Sequence, residues 1–191
     1  MITKQIDRLI FLTVFYLIAN SVLAAGEKPL RVVKFDLPLP VSPVAAEASS
    51  TQPPDKNKAE DLSAKNAIDG NLNTRWSSTP EEPQWLVVDL GDVYDIDKVI
   101  ISWGPGYASS YKIELSEDRI NWKEAYSTET GRGKVDTITF PIEKIGYIKI
   151  DCIKNGGEPG ISIREVTVYG KKSWCYFDGK GARIFGELKG G

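Results

Sequence analysis

The chain has 191 residues, a formal net charge of −2 and no histidine. That length holds one ordinary domain with additions, not two full ones. The balanced charge offers no basic stripe for a nucleic-acid partner, and the missing imidazole excludes a Ser-His-Asp triad, a Cys-His pair and a His-ligated zinc.

Residues 1–25 read as a secretory signal peptide. Lys4 and Arg8 form a charged start, Leu9 to Ile18 is an apolar run broken only by Thr13, and Val22-Leu23-Ala24-Ala25 offers small residues for cleavage. A membrane-spanning helix needs about 20 apolar residues, and Asn20 and Ser21 interrupt this run too early. The expected destination is outside the cytoplasm: secreted, periplasmic or at the cell surface. Residues 26–42 are proline-spiked and aperiodic, and are expected to form an extended lead-in.

From residue 43 to 170 the pattern is that of one compact all-β domain. Short β-rich runs alternate with Gly, Pro, Asn and Asp: Ala45–Ser50, Trp85–Leu90, Val99–Trp103, Tyr111–Leu115, Trp122–Tyr126, Thr137–Phe140, Tyr147–Ile153 and Ile161–Tyr169. Such spacing predicts an antiparallel sandwich or barrel. Within the runs, Tyr111, Ile113 and Leu115 share one face, and so do Ile148, Ile150 and Cys152. This period-2 alternation marks strands with one buried face.

The last run breaks its own phase. Ile161 and Ile163 fall on one parity, Val166 and Val168 on the other. A regular strand cannot bury both pairs in one core, so a bulge is expected near Arg164-Glu165. Export permits a disulfide. Cys152 and Cys175 could pair, or Cys152 could be a small buried hydrophobe in phase with Ile148 and Ile150.

The segment Ala64–Trp76 (AKNAIDGNLNTRW) concentrates Asp, Gly and three Asn in one loop. Such a loop can present several oxygens to a hard cation such as Ca²⁺. Ordinary side-chain bonding in an Asp-Gly turn is the alternative, and the spacing is not that of an EF-hand. Carboxylate catalysis would need two acids about 5–10 Å apart in a cleft, and the pattern offers no such pair, so a non-catalytic role is expected.

The run AIDGNLNTRWSS, followed by PQWLVVDLG, IDKVIISW, YKIELSEDRINW, GYIKID and ISIREVTVYG, resembles the F5/8 type C, or discoidin, family in order and spacing across about residues 43–170. The nearest subset is the family-32 carbohydrate-binding modules. The resemblance implies an eight-stranded antiparallel jelly-roll β-sandwich of the galactose-binding-domain type. It further implies a structural calcium ion held by the carbonyl of Asn66, the carboxylate of Asp69, Asn71, the hydroxyl and carbonyl of Thr74, the carbonyl of Arg164 and the carboxylate of Glu165.

In the resembling modules, sugar binds among loops at one end of the sandwich. The matching candidates are Trp103 and Tyr107, then Arg132 and Lys134, then Gln52, Lys56, Asn57 and Glu60, with Asn155 and Glu158 at the rim. Trp103 also continues the phase of Val99 and Ile101, so a core position competes with a stacking one. Gly104 departs from the acidic residue common there, and no histidine is present to face a sugar. The implied partner is a glycan or polysaccharide, with an associated enzyme or surface protein. A protein- or lipid-binding adhesion domain is the alternative, though the loops offer mainly Pro, Gly, Lys and Asn rather than apolar spikes for membrane insertion. Residues 171–191 lie beyond the resemblance and form a C-terminal tail.

Overall fold

A computed structural model of the chain describes residues 39–54, 60–171, 175–177 and 183–185. The signal-peptide reading, most of the lead-in, Lys56 and Asn57 lie outside these residues. Two compact units are present. In the smaller, Cys175–Phe177 and Arg183–Phe185 pair as an antiparallel hairpin. The larger unit spans Leu37–Lys172 and carries the rest.

The larger unit is nearly all β. Its strands are β1 (Leu39–Val41), β2 (Ala45–Ala48), β3 (Trp76–Ser77), β4 (Gln84–Trp103), β5 (Ala108–Ser116), β6 (Lys123–Thr128), β7 (Val135–Asn155) and β8 (Ser162–Lys171). They form one eight-stranded antiparallel sheet in the order β1-β8-β4-β7-β5-β6, with β2 added to β4 and β3 to β8. A 3-10 turn (Ala64–Ala67) precedes β3.

Strands β4 and β7 run through the whole unit. The first half of β4 pairs Gln84–Asp89 with Cys152–Tyr147, and its second half pairs Lys98–Ser102 with Thr139–Val135. Between the halves the register shifts twice. Those shifts turn the sheet over on itself, so that Leu86, Val88, Ile148, Ile150, Tyr111 and Ile113 face Val99, Ile101, Ile138, Val166 and Val168 in one core. This is why the sequence shows two runs where the chain makes one strand: the alternation lapses at the turnover while the backbone pairing continues. Proline in Leu39-Pro40-Val41 hid a strand inside the expected lead-in, as fits an edge strand against β8.

The expected bulge is present. Ser102 pairs with Glu165 but Trp103 pairs with Ile163, so Arg164 is the extra residue. Ile161, Ile163, Val166 and Val168 are consequently all buried. Cys152 is a free, fully buried thiol of the core, and burial pushes its pKa well above the ordinary thiol range. Trp76 is also core, with its indole N–H donating to the Ser50 carbonyl at 2.9 Å.

Candidate functional site

The bulge and the AIDGNLNTRW loop meet. The Gly70 N–H donates to Glu165 Oε2 at 2.9 Å, and the Arg164 guanidinium donates to the Leu72 carbonyl at 2.9 Å. Gly70 has φ +74, which glycine adopts without strain. Within the loop, Asp69 Oδ1 accepts the Asn71 N–H at 2.8 Å. Thr74 Oγ1 lies 2.8 Å from Asp69 Oδ2 and 2.7 Å from the Asn71 carbonyl. Asn71 Oδ1 accepts the Asn73 N–H at 3.1 Å. Four of the six predicted calcium ligands, Asp69, Asn71, Thr74 and Glu165, are thus linked through one hydrogen-bonded loop, and Arg164 is clipped to it. Asn66 is buried, and its Nδ2 donates to the Asp61 and Arg75 carbonyls.

A second cluster forms where β4, β7 and β8 end in loops. Tyr107 is half-buried and packs against the core. The loop it sits on is bonded to two others: the Gly156 N–H donates to the Tyr107 carbonyl at 2.9 Å, the Glu158 N–H to the Pro105 carbonyl at 3.2 Å, and the Gly131 N–H to the Ser109 carbonyl at 2.8 Å. The exposed side chains of Arg132, Lys134 and Glu158 therefore stand on loops joined around Tyr107. Asn155 is spent on the same framework, donating to the Glu158 carbonyl at 2.6 Å and accepting the Gly157 N–H at 2.8 Å.

Gln52, after β2, and Glu60, before the 3-10 turn, are held separately, against β3 and the residue before it. The Ser77 hydroxyl donates to Gln52 Oε1 at 3.0 Å, and Glu60 pairs with Arg75 at 3.0 Å. The Ser78 hydroxyl accepts the Ile161 N–H at 2.8 Å, and Glu82 Oε1 accepts the Asn155 N–H at 2.5 Å. These two bonds stitch the β3 side to the β8 loop.

Trp103 does not offer a stacking face. It is 4% exposed, its indole N–H donates to Asp136 Oδ2 at 2.8 Å, and its ring meets Tyr111 edge-on at 5.2 Å. Of the two readings open from its phase, the structure selects the core position. Asp136 is the residue the sequence reading passed over. The same Oδ2 accepts the Tyr111 hydroxyl at 2.7 Å. Burial, with this carboxylate alongside, drives the Tyr111 pKa far above the usual phenol range. Asp136 shares its strand parity with Ile138 and Phe140. An acid on the inward face needs donors, and that was the signal available.

This fold, with a loop-lined end and a bulge-anchored loop, defines a galactose-binding-like β-sandwich module. Over residues 45–166 the chain matches the F5/8 type C domain, and it belongs to that family. Among solved structures it is similar to chitosan-binding module 1 of a chitosanase/glucanase from Paenibacillus sp. IK-5, with 36% identity over 68% of this chain and 96% of that one, TM-score 0.61. Module 2 of the same enzyme, solved with chitotriose, is 32% identical over 68% of this chain and 98% of that one, TM-score 0.61. The family 32 carbohydrate-binding module of NanJ from Clostridium perfringens, solved with galactose, is 25% identical over 70% of this chain and 99% of that one, TM-score 0.59. A curated relative, the polysaccharide lyase 8 family protein HylA of Enterococcus faecalis, is 36% identical over 69 residues, and the match spans 5% of its length.

Proposed function

We propose that this protein is an exported, non-catalytic glycan-binding module, stabilised by calcium, that holds itself and an associated enzyme or surface protein on a polysaccharide or glycan. The observation that carries the reading is the union of fold and rim. The chain covers nearly the whole of modules solved with chitotriose and galactose, and it gathers Arg132, Lys134 and Glu158 on interlocked loops at one end. Charged groups on a fixed rim suit the hydroxyls and amines of a sugar.

Calcium fits the residues present. Asp69 and Glu165 supply two carboxylates, Asn71 and Thr74 supply neutral oxygens, and the carbonyls of Asn66 and Arg164 complete a hard-oxygen set. A bound ion would neutralise the two acids and tie the loop to the β8 bulge. Export rests on the apolar run Leu9 to Ile18 behind Lys4 and Arg8.

The deciding experiment is a glycan-array screen together with isothermal titration of the protein with chitotriose and galactose, each in calcium and in chelator. Saturable binding to at least one glycan is expected. A folded protein that binds none of them would end the glycan reading.

A further inference from the structure

We propose that Tyr107 is a positioning residue: its ring is the wedge that fixes the three loops of the candidate sugar rim, and the ring is spent on bare backbone rather than on ligand. The inference rests on the glycan-binding reading of that end.

Three glycines from two loops distant in sequence, Gly133 and the adjacent pair Gly156-Gly157, close on this one ring. A Cβ at Gly133 would lie 2.7 Å from Tyr107 Cδ1 and Cγ. One at Gly156 would lie 2.6 Å from Cε2 and 2.8 Å from Ser109 Cβ, and one at Gly157 would lie 2.3 Å from the Pro105 carbonyl oxygen of the Tyr107 loop, 2.9 Å from Tyr107 Cδ1 and 3.0 Å from Cε1. A side chain at any of them would collide with the ring. Gly133 is doubly required, because its φ is +69. Gly156 and Gly157 need no special φ, so close approach alone demands glycine there.

Glycine costs backbone entropy on folding, and so does ordering any loop. The packing of three bare backbones on one ring offsets that cost and makes the rim rigid before ligand arrives. Rigid sites lose less on binding.

The ring also sets where the polar groups stand. Arg132 and Lys134 flank Gly133, and Glu158 follows Gly157. Lys134 itself sits at φ +66, a conformation a side-chain-bearing residue holds only when its surroundings impose it. Here the Trp103 N–H donates to the Lys134 carbonyl at 2.8 Å on one side, and Tyr107 packs on Gly133 at the other. The charged tips are exposed, but their backbone is clamped.

The test separates the wedge from the sugar. Amide hydrogen exchange is measured on the full chain without ligand, for wild type, Tyr107→Phe, Tyr107→Ala and Gly133→Ala. Chitotriose and the best glycan from the array are titrated in parallel. Tyr107→Phe should keep wild-type protection at 104–108, 130–134 and 155–160 and bind within about threefold of wild type. Tyr107→Ala and Gly133→Ala should raise exchange at least tenfold in all three loops, leave the amides of Ile148 and Ile150 unchanged, and weaken binding at least tenfold. Loosening confined to 104–108 would overturn the wedge. So would lost binding in Tyr107→Phe with all three loops still protected, because the hydroxyl would then be touching sugar. If wild type binds no glycan, the functional reading fails while the exchange data still decide the wedge.

Discussion

Replacing Trp103 by Phe separates a core residue from a ligand platform. Trp103 is 4% exposed, so the smaller ring leaves a void, which costs about 1–2 kcal/mol for a change of this size. The substitution also removes the N–H that donates to Asp136. A hydrogen bond to a charged group is worth about 1.5–3 kcal/mol, and the lower end applies because Asp136 is only half-buried and keeps the Tyr111 hydroxyl. The sum is about 3 kcal/mol. For a domain of this size that lowers Tm by roughly 10 °C, leaving a folded protein if its stability is of the usual order of about 5–15 kcal/mol. Urea unfolding followed by circular dichroism gives the energy, and a sugar titration of the folded variant gives the affinity. The expected result is a large loss of stability with glycan affinity within about threefold of wild type. Wild-type stability with abolished binding would show that the indole faces ligand, and the core reading would be wrong.

Calcium at about a hundred times its Kd should add about 2.7 kcal/mol, or roughly 8–10 °C in Tm, and Glu165→Gln should remove most of that rise. Identical melts in millimolar calcium and in chelator would dismiss the ion. Cys152 should resist Ellman's reagent in a Cys175→Ser chain for about an hour under native conditions and react in denaturant, since the thiolate is the reactive form and burial disfavours it. Rapid native labelling would mean that the core opens far more often than its packing implies.

What could be read from the sequence was whatever depends on parity. The inward faces of β5 and of the second half of β7 are properties of alternate positions, so Tyr111, Ile113, Ile148 and Ile150 were legible. So was a bulge near Arg164-Glu165, because two apolar pairs on opposite parity cannot both face one core along a regular strand; the pairing then places the extra residue at Arg164. The same argument applies to β4, where Ile96 and Val99 are both fully buried on opposite parity and the register shifts between Ile96 and Lys98. The continuity of β4 was not legible, because Gly91 to Tyr94 carry no alternation across the turnover. Trp103 was open to two readings, since a strand's last residue can point inward or meet the loop beyond it. The family resemblance grouped Tyr107 with the loops of Arg132, Lys134 and Glu158, but the packing of its ring could not be read. It depends on Gly133, Gly156 and Gly157 coming within reach of one ring, and nothing local to any of them records that encounter.

Strands β4 and β7 belong to both faces of the core. The two halves of the sandwich are therefore joined by covalent chain as well as by side-chain packing, and neither can peel from the other without unzipping a strand that serves both. Proteolysis or mechanical load on this unit should meet one all-or-none event rather than a stepwise loss of layers. For the glycan-binding role proposed above, strain entering at the loops would be spread along two continuous strands before any single hydrogen bond has to bear it.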